Sequence, residues 1–283
     1  QKKYFITYGS EDFKLQKKHL VNLVKQSEFF DEIISLGPKD LSTLFKEKHS
    51  DLLKVKKGGG YWIWKYEIIR NLLKEINSQD IVFYSSAGSS FNINGLKRLK
   101  EYVDIINESI SGNLRFEVPV IEKNWTNKKI FEFFDVQNNS EILNSKMLAA
   151  NHFGLAKNDT SEMIFNEFHR LIESDKKLIT FEYDNLDQIS TFQENRNDQS
   201  VLSVLSKIYG SEKINDETYF QDCANLQYDF PFLAVRKRKY TLKQKIIFFA
   251  RFNKNFNKPL YFNPKKSLFS RFVYKIKKIL QFN

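Results

Sequence analysis

The stretch most capable of chemistry opens at Gly58-Gly59-Gly60, continues through Tyr61-Trp62-Ile63-Trp64-Lys65, and closes on the small polar turn Ser85-Ser86-Ala87-Gly88-Ser89-Ser90. Glycines let backbone amides approach a phosphate, and the start of a helix favours negative charge. Lys65 falls in the first turns of the expected helix, where it can pair with a diphosphate. The same residues also fit a surface glycine loop and a core helix whose tryptophans pack, and a plain triple glycine does not separate the two. Thiolate or imidazole metal chemistry has little support. Cys223 is the single cysteine, which excludes an intramolecular disulfide and a multi-cysteine zinc site. The histidines His19, His49, His152 and His169 show no HxxxH or HExxH spacing.

These residues need a scaffold, and the flanking pattern supplies one. Residues 3–8 (KYFITY) form a short β-rich run ending at Gly9, residues 12–27 carry helical spacing, and 32–36 form a second strand closed by Gly37 and Pro38. Strand, helix, strand suggests a mainly parallel α/β sheet with ligands at the carboxyl ends of the strands. The pattern then predicts a helix over 61–76, a buried strand over 80–84, a helix over 95–111 and strands over 114–121 and 149–156. Further helices are expected over 160–172 and 199–209. No internal repeat or low-complexity tract is present.

The chain of 283 residues is 41% hydrophobic, 15% aromatic and 28% charged, a balance that fits a globular body and excludes global disorder. Its net charge of +11 is unevenly placed. Residues 230–283 hold 15 Lys/Arg and no Asp or Glu, whereas residues 1–229 hold 30 basic and 34 acidic side chains. Two units follow from this, a body over 1–229 and a basic tail over 230–283. No run of 18 uncharged apolar residues occurs, and the first residues meet an acid too early for a secretory segment. A cytoplasmic protein is expected.

The stretch GGGYWIWKYEIIRNLLKEINSQDIVFYSSAGSS resembles the donor-site segment of bacterial surface-polysaccharide glycosyltransferases of the GT-A type, the enzymes of capsule and O-antigen synthesis. In those, a G-Y-W-x-W-K-like helix start precedes a strand ending in Y-x-D-A-G. EKNWTNKKIF (122–131) is similar to the family's E-x-x-W/Y-T-K block, and FQENRNDQSVLSVLSKIYG (192–210) to its H-R-x-D-Q-S-x-x-S-L-L block. Three blocks in the expected order are far more specific than any one.

The resemblance implies a GT-A-like fold and transfer of a hexosyl group from a nucleoside diphosphate sugar, with UDP the expected nucleotide, to a glycan acceptor on a polyprenyl lipid. It places Thr7, Tyr8 and Gly9 against the nucleoside, and Gly60, Trp62, Lys65, Ser86, Ala87 and Gly88 along the ribose and diphosphate. Ser86 stands where the family has an aspartate that helps a divalent cation (Mn or Mg) hold the diphosphate. A serine hydroxyl is a poor ligand for a hard cation. Three outcomes follow: Lys65 or other basic groups replace the metal, the metal binds through other oxygens, or transfer activity is lost.

Asp198 and Glu122 are the candidate general bases, needed if transfer inverts the anomeric centre because the acceptor hydroxyl must lose a proton. Their plainer readings are a helix N-cap and a solvated loop acid. Asn195 and Asn197 replace the family's histidines, whereas Arg196, Asp198, Gln199 and Ser200 remain. Arg196 and Gln199 are candidates for phosphate or acceptor contact, as are Asn151 and His152. The rival to an enzyme is a catalytically degenerate or nucleic-acid-associated binding protein.

The tail repeats a theme of apolar residues at helical spacing, Leu242, Ile246, Phe249 and Ala250, then Leu268, Phe269, Phe272, Val273, Ile276 and Ile279, with lysines and arginines between. Basic amphipathic helices of this kind bind anionic membrane surfaces. Peripheral attachment at the inner face of the cell membrane is the leading expectation. Packing on the body and binding of nucleic acid are the alternatives.

Overall fold

The computed structural model describes residues 1–218 and 230–234. The tail helices expected beyond Ala234 lie outside the described residues. Among the described residues the chain builds a seven-stranded sheet with helices on both faces, and a second sheet of two short strands. Strand β1 (Lys3–Tyr8), helix α1 (Lys14–Gln26) and strand β2 (Glu32–Leu36) open it, followed by helix α2 (Trp64–Glu75) and strand β3 (Ile81–Ser85). Then come β4 (Ser90–Phe91), α3 (Leu96–Glu108), β5 (Asn113–Ile121), β6 (Lys146–Leu148), β7 (His152–Ala156), α4 (Asp159–Asp175), α5 (Asp198–Ile208), β8 (Glu212–Asn215) and β9 (Phe232–Leu233).

The sheet order is β2-β1-β3-β7-β5-β6, with β8 also paired to β5. Strands β2, β1 and β3 are parallel, and β7 and β6 run against the rest. β8 lies parallel to β5. The expected mainly parallel sheet flanked by helices is therefore present, with antiparallel β7 inserted between β3 and β5. Alternation along each strand feeds two cores. Ile6, Val82, Tyr84, Phe153 and Leu155 pack with α2, α4 and α5 on one face, and Phe5, Phe83, Leu114 and Phe116 pack with α1 and α3 on the other.

Helix α4 shows why these segments fold as they do. Ile164, Phe165, Phe168, Leu171 and Ile172 repeat at helical spacing and are buried. Asn158 opens the helix by accepting from the Ser161 amide at 2.9 Å, and the Ser161 hydroxyl accepts in turn from the Asn158 amide at 3.1 Å.

Three details differ from the sequence expectation. The helix expected from residue 61 starts at Trp64, because residues 58–62 all hold positive φ (63°, 58°, 97°, 54° and 60°). They wind one left-handed turn, a conformation costing about 1–2 kcal/mol for each residue with a Cβ and little for glycine. The strand expected over 149–156 begins only at His152, as β7, and residues 149–151 form the break between it and β6. At the break the Ala149 amide bonds Phe116 O at 2.8 Å, and Asn151 O accepts from the Ser86 amide at 2.9 Å. Finally, Phe232 and Leu233, placed by composition in the tail, are buried and pair with β4. The folded body therefore reaches past residue 229 to include 230–234.

Candidate functional site

The crevice at the carboxyl ends of β1, β2 and β3 collects most of the residues singled out above. Thr7 and Tyr8 end β1; Thr7 is fully buried, its hydroxyl without a partner, and the Tyr8 ring stacks on Trp64 at 3.9 Å. Gly9 follows, and its missing side chain matters, since a Cβ there would lie 2.9 Å from the Ala87 Cβ. The turn after β3 thus closes directly over the end of β1. Ser86 and Gly88 are half-buried, Ala87 is buried, and the Ser86 carbonyl accepts from the Ser89 amide at 2.9 Å.

The centre of the crevice is an ion pair between residues 133 positions apart. Lys65 donates to Asp198 and, at 2.8 Å, to Ala150 O. Both side chains are nearly closed to solvent, at 2% and 6% exposure. Burial pushes the Asp198 carboxyl up, against the pull of Lys65, and pushes the Lys65 ammonium down, against the pull of Asp198. The Lys65 ammonium also lies 4.9 Å from the Tyr84 ring, whose hydroxyl burial keeps protonated. Asp198 occupies the first position of α5, and the N-cap is Asn197, with φ 56° and ψ −124°. The side chain of Asn197 donates instead to Ile179 O at 2.7 Å.

The triple glycine does something other than cradle a phosphate. The amides of Gly59, Gly60 and Tyr61 are taken by the carbonyls of Lys56, Val55 and Lys57 at 2.8–3.2 Å. Gly58 O accepts from the Trp64 indole at 2.9 Å. The turn's product is placement: it aims Trp64 onto Tyr8 and starts α2 so that Lys65 points beneath the strand ends. Gly60 is buried there, and a Cβ on it would meet the Leu52 carbonyl at 3.0 Å. Trp62, half-buried, ends the turn.

The second block reaches the third through its backbone. Gln193 and Arg196 amides bond Asn124 O and Trp125 O at 2.7 and 3.0 Å, and the Arg196 guanidinium lies 4.1 Å over the Trp125 ring. Gln199 is half-buried, and its side-chain nitrogen meets no partner. Glu122 lies apart from the Lys65–Asp198 pair. It is fully buried, accepts from Thr126 and Lys207 at 2.5 Å each, and also accepts from Ser203. The expected solvated loop acid is thus a buried one with both oxygens engaged. Asn151 sits beside Ser86, whereas His152 turns its ring to the other face, 5.6 Å from Phe232. Both His152 nitrogens lack partners, and burial, helped by Lys65, pushes its pKa down to about 3.

Two cations were not singled out from sequence. Arg115 on β5 is fully buried, donates from Nε to Asn113 at 2.9 Å and lies 4.3 Å from the Phe153 ring. Both of its terminal nitrogens lack partners, burial pushes it down to about 9, and its charge helps depress Lys65. Lys17, on α1, donates to Leu36 O and lies 3.5 Å from Gly9 O, so a half-buried ammonium caps the ends of β1 and β2. Arg115 had a weak signal, a charge between Leu114 and Phe116 in a strand that also carries Asn113 and Glu117. Lys17 had none, since it is one lysine of several on α1.

The side chains at Ser86 do not fit a divalent cation. Asp198 already holds an ammonium, and among the described residues no three His, Cys, Asp or Glu group closely enough to bind a metal.

No family model matches the chain, and no curated protein matches it. Among solved structures the fold is similar to apo mouse xyloside xylosyltransferase 1, at 8% identity and TM-score 0.42, covering 76% of this chain and 86% of that one. It is also similar to galactosyltransferase LgtC in complex with donor and acceptor sugar analogues, at 10% identity and TM-score 0.40, covering 77% and 75%. An active-site mutant of LgtC aligns at 12% identity and TM-score 0.38, covering 77% and 74%. At this distance no residue role is carried across.

Proposed function

We propose that the chain is a hexosyltransferase that takes its sugar from a nucleoside diphosphate donor, UDP-linked in the leading form, bound over the carboxyl ends of β1 and β3. The observation that carries this reading is the buried Lys65–Asp198 pair, which joins the first and third of the family-like sequence blocks at the strand ends. Tyr8, Gly9, Ser86, Ala87 and Gly88 surround the donor, with Trp62 and Gly60 shaping the turn behind it. Asp198 acts as general base of an inverting transfer. In its carboxylate form, paired with Lys65, it takes the acceptor proton as the new glycosidic bond forms and the nucleoside diphosphate leaves. Lys65 and Arg115 outnumber the one carboxylate beside them, Asp198, whereas Lys17 stands near Asp40, and this excess positive charge around Lys65 suits the developing diphosphate in place of a metal.

Asn151, Arg196 and Gln199 line the approach of the acceptor. In the full proposal that acceptor is a surface-polysaccharide glycan on a polyprenyl lipid, and the basic residues beyond Ala234 bring the enzyme to an anionic membrane. Among the described residues no helix is long and apolar enough to cross one. Flotation with anionic liposomes should carry the full chain and leave behind a chain ending at Ala234; equal flotation removes the membrane part.

The test of the reaction is release of nucleoside diphosphate from a panel of UDP- and GDP-sugars, with and without EDTA. Turnover that survives EDTA is expected. One observation favours a second reading: the pair is closed to solvent, as a site retired from catalysis and kept for binding would be. A nucleotide-induced rise in Tm without turnover of any donor would select that reading.

A further inference from the structure

Beside the crevice lies an open cleft of about 450 Å3 that none of the roles above uses. Tyr61 and Phe181 line it edge to face, with centroids 5.6 Å apart, and Asp51, Glu182, Leu52 and Thr180 complete it. We propose that this cleft binds an uncharged stretch of glycan and is the acceptor subsite of the transferase. That the glycan is an acceptor rests on the transferase reading; that a neutral glycan binds rests on the cleft alone.

The chemistry of the lining points to a sugar. Pyranose rings offer apolar C–H faces to aromatic rings and a rim of hydroxyls to carboxylates, and this cleft offers both partners. Its charges are balanced. Lys176 pairs with Asp51 at 2.5 Å, Lys177 with Glu182 at 3.2 Å, and Lys57 with Glu194 at 3.9 Å while its ammonium sits 3.9 Å from the Phe181 ring. A phosphate-rich or strongly basic ligand would find its charge unanswered at such a rim, whereas hydroxyls can both donate to and accept from it.

Two further features single the cleft out. Tyr61 is one of two residues with a Cβ in the left-handed turn, so backbone strain is spent to bring its ring to this wall. The opposite wall is also tied to the catalytic helix. Asn195 donates to Leu178 O and Thr180 O at 3.0 and 2.9 Å, and Asn197 to Ile179 O at 2.7 Å, immediately before Asp198. A glycan seated against Tyr61 and Phe181 therefore rests on the segment that positions the base.

The experiment is saturation-transfer NMR of the full chain with neutral oligosaccharides (lactose, maltotriose, cellotriose and chitotriose) and with heparin disaccharide as the anionic comparison, on wild type, Tyr61→Gly and Phe181→Ala. Tyr61→Gly relieves the strained φ, and circular dichroism reports the fold of both variants. At least one neutral glycan should bind wild type and weaken about tenfold or more in both variants, with Phe181→Ala keeping the Tm shift given by UDP. Neutral glycans that bind all three proteins equally, no neutral glycan binding at all, or preference for the heparin disaccharide would each overturn the proposal. If UDP gives no shift while neutral glycans bind and depend on both rings, the transferase reading falls and the glycan site stands.

Discussion

Helix α5 carries a buried ion pair near each end, Asp198 with Lys65 at its start and Glu122 with Lys207 near its finish, and the surroundings of the two are opposite in kind. Glu122 is enclosed by hydrogen-bond donors, with Thr126 and Ser203 sharing its oxygens with Lys207. Asp198 sits under the strand ends among aromatic rings, and Arg115 adds a second, unneutralised cation behind Lys65. The first environment closes a charge into the framework. The second leaves an excess of positive charge where a diphosphate would leave. Burial and pairing alone do not separate a structural carboxylate from a catalytic one; the local sum of charge and the place at the carboxyl ends of the strands do.

The largest effect expected from breaking this comparison is catalytic. Asp198→Asn should lower transfer about 10²–10⁴-fold while UDP binding persists, whereas Glu122→Gln should leave transfer per folded molecule near wild type. Initial rates normalised to folded protein by circular dichroism decide this.

Stability should treat the pairs alike at first and differently on repair. Removing one partner of either pair leaves a buried charge and should cost about 3–5 kcal/mol. Replacing both, as Lys65→Met with Asp198→Asn or Glu122→Gln with Lys207→Met, should recover much of that in denaturant melts. Only the second double variant should keep turnover.

His152 sharpens the same contrast through pH. The free side chain titrates at 6.5, and in the fold burial holds it at about 3. Between those values the unfolded chain takes up a proton that the folded chain refuses. Stability should therefore fall as pH drops from 6.5 towards 3, by up to about 5 kcal/mol. His152→Leu should flatten that part of the Tm-versus-pH curve and leave the region above pH 6.5 little changed. A curve of unchanged slope would remove His152 as its cause.

The smallest effect belongs to the turn. Gly60→Ala, at φ 97° and against the Leu52 carbonyl, should cost about 1–2 kcal/mol. Because the turn sets where Lys65 points, its turnover should drop further than Tm alone accounts for.

Much of the scaffold was legible in the sequence because its signals are local. The runs at 3–8 and 32–36 match β1 and β2, and the helical spacing of 160–172 falls within α4. The antiparallel insertion of β7 was not legible, since nothing in HFGLA states which strand it will join. Nor was the left-handed turn, which needs the contact of Gly60 with Leu52 as well as three glycines. Asp198 and Lys65 were each found through their blocks, but their pairing was not, because a lysine and an aspartate 133 residues apart carry no shared signature until the sheet brings them together. Glu122 was placed at a strand end correctly and given water it does not have, because the serine and lysine of α5 that enclose it arrive some eighty residues later.

The most direct test of the central claim joins turnover and binding in one pair of proteins. Nucleoside diphosphate release from UDP- and GDP-sugars is measured for wild type and Asp198→Asn, alongside the Tm shift each shows with UDP or GDP. Wild type should turn over at least one donor, and Asp198→Asn should keep the shift and lose the turnover. Turnover unchanged by Asp198→Asn, or neither turnover nor a shift in wild type, would contradict a transferase built on the Lys65–Asp198 pair.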